Sequence, residues 1–288
     1  KHLLRVENNH DESASQDFSL EMYRFLGKEL GPARKKVYES KIKKEFKNKN
    51  GHNPKNRHQV RNAVKNNPFF QFWGHLRSNI NQEMFYKNQL IVERQLDQLV
   101  ENSELKGKSR GKLALNPKLE IPRYLSLDMH WMPGSYYSEN PINNDIAAGA
   151  LYDSGGIYLM TNGGLGPFND GAAYSLINFL RKKFSKFKPS DILDLGCTVG
   201  HNTLPFKEYW PKANVTGIDV GAPVLRYAHA RSEMMGYSID YFQQNAENTD
   251  FKNFSFDLIV STMFLHETSN KAVHNITQEA FRILKKGG

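Results

Sequence analysis

The stretch Asp191-Ile192-Leu193-Asp194-Leu195-Gly196-Cys197-Thr198-Val199-Gly200 constrains this chain more than any other. A short apolar run carries one carboxylate, Asp194, and breaks into a loop with a glycine at each end. Asn202-Thr203-Leu204 opens a new pattern beyond it. This spacing predicts a strand, a tight turn and a helix, the layout that begins a nucleotide-binding βα unit. Gly196 and Gly200 permit positive φ and leave no Cβ between backbone and ligand. Helix amides beyond the turn favour a polar or anionic ligand group.

Asn214-Val215-Thr216-Gly217-Ile218-Asp219-Val220 reads as a second strand ending in a carboxylate. It lies roughly 20 residues on, where a ribose-binding acid belongs. Two oxygens on one carboxylate can bridge vicinal sugar hydroxyls. The alternation continues with a helix over Val224–Gly236, its Leu225, Ala228 and Met235 toward the sheet, and a third strand over Ile239–Gln244. A fourth strand follows over Phe256–Ser261, then a helix over Lys271–Leu284. Ala172–Phe187, with Leu176, Phe179, Leu180, Phe184 and Phe187 apolar, is a helix leading into the first strand. Such alternation predicts a parallel sheet with right-handed crossovers and ligands at the strand carboxyl ends.

The residues before this unit have a different character. Formal net charge is +9, and Lys28–Lys65 holds about the whole surplus, with only Glu29, Glu39 and Glu45 opposing it. That is either an electrostatic footprint for nucleic acid or a solvated, partly disordered surface segment. Only Tyr38 and Phe46 are aromatic there, so no stacking platform for bases is evident. From Pro68 the apolar residues Phe69, Phe72, Trp73, Leu76, Ile80, Met84, Ile91 and Leu99 recur at helical steps. One long helix or two consecutive ones are expected to about Leu105, started by Asn67-Pro68. Lys106–Gly111 then reads as a flexible basic linker. Leu119–Leu165 is rich in polar, aromatic and glycine residues, as a substrate lid is. Within it Asp128 and His130 suit a charge-assisted pair, for proton transfer or as a loop hydrogen bond.

No apolar run approaches the roughly 20 residues of a membrane span, and the single cysteine rules out an internal disulfide and fits a reducing compartment. A cytoplasmic location is the expectation.

Asp194-Leu195-Gly196-Cys197, Gly217-Ile218-Asp219-Val220, Asn245-Ala246-Glu247, Phe256-Asp257-Leu258-Ile259-Val260 and Ala280-Phe281-Arg282-Ile283-Leu284-Lys285-Lys286-Gly287-Gly288 occur in order. Together they resemble the class I S-adenosylmethionine-dependent methyltransferases, in particular the ubiquinone and menaquinone methyltransferase branch. Met129-His130-Trp131-Met132-Pro133-Gly134-Ser135-Tyr136 is similar to a bacterial group with a long N-terminal extension. The resemblance implies an α/β fold, a Rossmann-like parallel sheet flanked by helices and cut short before its fifth strand, behind a mostly helical extension. With the charge and periodicity read above, the chain is expected to divide into a polar, basic segment over 1–67, partly flexible, a helical and loop-rich cap over 68–170, and a C-terminally incomplete cofactor domain over 171–288. The fourth strand is then expected to be an unpaired apolar edge.

The implied cofactor is S-adenosylmethionine. Asp194 would place its methionine end, lined by Gly196, Cys197 and Gly200. Asp219 would bind the ribose, with Val220 against the adenine, Asn245 and Ala246 at its edge, and Ser261 nearby. Thr198 stands where the family has glycine. A β-branched residue resists the left-handed conformation, so the turn is expected to be αR or β there, or shifted. His266 and Glu267, after the fourth strand, are the candidate general bases, with His130 competing from the lid. Cys197 is read as a small buried residue, not a nucleophile. No metal ligand is assigned.

The fourth strand is followed by Ser261-Thr262-Met263-Phe264, not the Pro-Pro-aromatic motif of enzymes that methylate exocyclic base amines. A base-carbon methyltransferase needs a free nucleophilic cysteine. A small-molecule acceptor is therefore expected, with an RNA or protein acceptor left open by the basic segment. A nicotinamide oxidoreductase would need G-x-G-x-x-G, which this loop lacks. A non-catalytic binding module on the same fold is the other alternative.

Overall fold

The computed structural model describes residues 2–105 and 107–288. Its centre is one parallel sheet: β1 (Leu113–Ala114), β2 (Asp191–Leu195), β3 (Asn214–Asp219), β4 (Asp240–Gln243) and β5 (Leu258–Val260), in spatial order β1-β4-β3-β2-β5. From β2 the chain steps outward through β3 to β4, then crosses back to lay β5 on the other side of β2. That reversal creates a crevice above the carboxyl ends of β2 and β5, where open α/β sheets bind ligands.

Both faces of the sheet are covered, which is why its strands are apolar runs and do not alternate with polar residues. On β2, Ile192 packs to one side with Val215, Leu225 and Tyr241, while Leu193 and Leu195 pack to the other with Ile218, Ile276 and Ile283. The covering helices are Gly171–Lys183, Ala222–Met234 and Asn270–Ile283. Leu225 and Ala228 pack against the sheet as expected, but two expected faces are met only in part. Met235 ends its helix 37% exposed, and Phe179 and Phe184 point outward while Ala173 and Ile177 are buried.

The strand β1 was not anticipated, and it corrects the expected strand count. It comes from residues ahead of the domain and pairs with β4, on the edge opposite β5. Its approach is clamped: the Glu233 carboxylate accepts the backbone N–H groups of Arg110 (2.8 Å) and Gly111 (2.6 Å). A Cβ on Gly111 would lie 2.0 Å from the Ile239 carbonyl oxygen, so only glycine fits there. This end of the presumed linker is thus docked structure; Lys106 lies outside the described residues. At the far edge β5 is covered at one end, where Phe256 bridges Leu284 and Lys285 reaches Asp191 (2.6 Å) and Asp257 (3.1 Å).

The N-terminal region is helical. Helical turns run through residues 10–50, followed by Arg57–Val64, Pro68–Arg94 and Leu96–Ser103. Asn9 starts the first through a reciprocal capping box with Glu12, and Asn67 caps the 27-residue helix that Pro68 opens. The turn at Leu26–Leu30 is widened to π-helical form just before Pro32. Proline cannot donate to the preceding turn, and such a bulge absorbs the mismatch. Met84, Phe85, Val92 and Leu99 from these helices pack with Leu151, Val224 and Tyr227 into a shared core. The extension therefore sits on the helix that follows β3. No helix among the described residues is long and apolar enough to cross a membrane.

Candidate active site

A cavity of about 520 Å³ opens at the crevice above β2 and β5, within the size range of small-molecule sites. Its floor is the carboxyl ends of the strands: Asp194 and the Gly196–Thr198 loop after β2, Asp219 and Val220 after β3, Gln244–Ala246 after β4, and Thr262–Phe264 after β5. Its roof is the extension, through Tyr23, Leu26, Gly27, Gly31, Arg34, Trp73 and Arg77.

Asp219 is the organising group of the floor. Its Oδ2 accepts the Thr198 backbone N–H (3.0 Å) and its Oδ1 accepts that of Gly221 (2.9 Å), which leaves one lone pair on each oxygen. Burial pushes its carboxyl above the usual range. The bond to Thr198 corrects the expectation for that loop. Thr198 is left-handed, with φ +45°, despite its branched side chain. The carboxylate holds the N–H in place and overrides a steric preference worth about 1–2 kcal/mol. Gly196, at φ +71°, is needed for a second reason: a Cβ there would lie 2.4 Å from the Phe264 ring.

Asp194 is 2% exposed and accepts the Thr203 hydroxyl at 2.6 Å. Burial first, and then the nearby Asp219 charge, raise its carboxyl to about 7. The helix beyond this loop, Leu204–Tyr209, is only six residues long. Cys197 is buried, and burial pushes its thiol well up, which keeps it protonated and inert.

Other expected cofactor residues divide. Val220, Asn245 and Ala246 line the cavity, and the Asn245 side-chain oxygen accepts the Glu247 backbone N–H at 2.9 Å. Gly200 lies behind the wall, where a Cβ would meet the Tyr241 hydroxyl at 2.6 Å. Ser261 is exposed and does not line the cavity.

The three competing base candidates form one cluster. His130 Nε2 lies 2.7 Å from Glu267 Oε1 and 3.1 Å from His266 Nε2, and His266 Nε2 lies 3.1 Å from the same Glu267 oxygen. Tyr136 donates its hydroxyl to that oxygen at 3.3 Å. The expected Asp128–His130 side-chain pair does not form: Asp128 accepts the His130 backbone N–H (2.9 Å) and so shapes the loop that aims the imidazole at Glu267. Trp131 and Met263, close to the two histidines in sequence, both have positive φ, so backbone strain sits beside the cluster.

The roof residues were missed by sequence reasoning. Gly27 and Gly31 lie one turn apart, just before Pro32, and that small-residue face was their only signal. Arg34, counted with the basic surface segment, instead lies 3.9 Å from the centre of the Trp73 ring at the cavity wall.

Comparison with known proteins agrees with this layout. A family described as "Methyltransferase domain" matches residues 192–288. Residues 192–288 thus match a methyltransferase domain and are similar to the class I S-adenosylmethionine-dependent methyltransferases. The cofactor of that family is S-adenosylmethionine. Among individual relatives, a malonyl-[acyl-carrier protein] O-methyltransferase of Neorickettsia risticii is 28% identical over 129 residues, covering 45% of this chain and 48% of that protein. A demethylmenaquinone methyltransferase of Thermus thermophilus is 28% identical over 100 residues, covering 35% and 44%. A ribosomal RNA small subunit methyltransferase C of Shigella flexneri is 31% identical over 100 residues, covering 34% and 29%. The chain thus spans less than half the length of these relatives. All three are methyltransferases, and the acceptors their names carry differ.

Proposed function

We propose that this chain binds S-adenosylmethionine on the floor of the cavity and transfers its methyl group to a small acceptor held under the helical roof. The observation that carries this reading is the pair of buried carboxylates, Asp194 and Asp219, on a floor with no lysine or arginine among the described residues. A dinucleotide would put a diphosphate against them. A sulfonium nucleoside with a free amino group instead brings positive charge, and its ribose supplies the two hydroxyls that the free lone pairs of Asp219 suit.

When bound, the cofactor supplies a methyl group already activated by the sulfonium, which leaves as a neutral thioether once an in-line nucleophile takes the methyl. The protein's share is alignment and exclusion of water. Asp219 and the Thr198 loop hold the nucleoside, Phe264 over Gly196 narrows the floor, and Tyr136 and Tyr152 wall the chamber. The cluster of His130, His266 and Glu267 faces the space left for the acceptor and receives its nucleophilic end. At the roof, Arg34 and Arg77 make no ion pair among the described residues, and the buried Trp73 Nε1–H has no acceptor. Donors without partners suit an acceptor with an oxygen-rich or anionic end.

Asp194 yields a pH prediction. In the free protein it is protonated below about 7, and a cationic ligand favours its ionised form. Affinity for S-adenosylmethionine should therefore rise with pH and level off above 7, by up to about tenfold per pH unit below that point. Calorimetry across this range checks it against Asp194→Asn, in which the dependence should flatten. The transfer itself is tested by incubating the protein with methyl-labelled S-adenosylmethionine and fractionated extract. Label in a small-molecule fraction supports the reading; label confined to RNA or protein moves the acceptor to the basic helical face; bound cofactor without any transfer indicates a binding module.

A further inference from the structure

The geometry points to a divalent transition-metal site formed by His130, His266 and Glu267, which deepens the function proposed above and rests on it for the acceptor. Two imidazole nitrogens and one carboxylate oxygen converge here, separated by 2.7, 3.1 and 3.1 Å. Three donors on one face of an octahedral ion, each about 2.1 Å from it, lie about 3 Å from one another. The observed triangle has that size.

Hydrogen bonding alone serves the triangle poorly. Each Nε2 carries at most one hydrogen, and the Glu267 oxygen carries none when ionised. If both histidines donate to Glu267, the 3.1 Å approach of the two Nε2 atoms sets two N–H groups side by side. If one Nε2 is bare, its lone pair faces the carboxylate. A cation at the centre satisfies all three atoms at once, and the donor set suits zinc, iron or cobalt over calcium or magnesium. Tyr136, at 3.3 Å from Glu267 Oε1, is placed as an outer partner that orients the carboxylate.

The residues come from two separate segments. His130 lies in the lid, which Asp128 folds through the His130 backbone, while His266 and Glu267 lie in a short 3₁₀ turn after β5. An ion here therefore ties the lid to the catalytic domain. Three protein donors leave coordination positions open toward the cavity. The acceptor class this implies is a small molecule with an oxygen or nitrogen donor at or beside the atom to be methylated.

The test uses the untagged full chain, stripped of metal with a chelator, and Co(II) and Zn(II) as probes. One ion per chain should bind, and Co(II) should give visible d–d absorption. His130→Ala, His266→Ala and Glu267→Gln should each weaken binding by at least about tenfold, the size of even an outer-shell loss. S-adenosylmethionine affinity, set by Asp219 and Asp194, is measured on the same samples. If neither ion binds while S-adenosylmethionine does, or if ion binding survives all three substitutions, the metal site is wrong and the methyltransferase reading stands. If the ions bind and the three variants lose them while S-adenosylmethionine is ignored, the metal site stands and the cofactor reading falls.

Discussion

Replacing Asp219 with alanine is expected to weaken S-adenosylmethionine binding by at least about a hundredfold. In the proposed binding mode two charge-assisted hydrogen bonds to the ribose are lost, each worth about 1.5–3 kcal/mol. A second loss comes from the loop. Thr198 is held left-handed by its N–H bond to Asp219, so without the carboxylate the loop relaxes and the floor of the site changes shape. Asp219→Asn should retain part of the affinity, because its amide oxygen still accepts one hydrogen bond. Calorimetry on variants shown by circular dichroism to be folded reads both effects. Equal affinities for Asp219→Ala and the unaltered protein would remove Asp219 from the site.

The second large effect concerns stability. Asp153 is buried and accepts from His201 Nε2 (2.5 Å), Tyr227 Oη (2.6 Å) and His2 Nε2 (3.2 Å). Those three donors come from the loop after β2, the helix after β3 and the start of the extension, so one carboxylate joins all three. Asp153→Ala would leave buried donors unpaired and should cost about 3–5 kcal/mol, read as a lower urea midpoint. Tyr227→Phe, which removes one donor and leaves the acceptor in place, should cost about 1 kcal/mol.

The network also has a pH sign. Despite the opposing effect of burial, the charge and hydrogen bond of His201, the hydrogen bond from His2 and the Arg231 charge hold Asp153 well below the usual carboxylate range. Burial, against the pull of Asp153, lowers His201. Both folded values are depressed, so the stabilisation is complete above the ordinary histidine value of about 6.5. It erodes as pH falls, through His201 first and Asp153 last. Urea melts of the unaltered protein should show that loss on the acid side.

The third of the chain from Asp191 onward was legible because its chemistry is local. Each strand is a short apolar run, the turn after β2 carries a glycine at each end, and Asp219 stands at a fixed distance from that loop. The site's other half was not legible, because it is assembled from distant segments. Tyr23, Gly27, Arg34 and Trp73 lie on helices whose periodicity describes packing equally well. His130 and His266 are 136 positions apart, and no spacing rule joins them. Local adjacency even misled: Asp128 suggested a partner for the His130 ring, while its carboxylate serves the His130 backbone. Thr198 failed for a related reason. Its intrinsic preference was read correctly, but a carboxylate 21 positions away in sequence overrides it.

The direct test of the central claim is calorimetric titration of the intact chain with S-adenosylmethionine and, separately, NADH, above pH 7 where Asp194 is ionised. Saturable binding of the sulfonium nucleoside with no heat from the dinucleotide is the predicted result. Binding of NADH, or indifference to both by a folded protein, would contradict it.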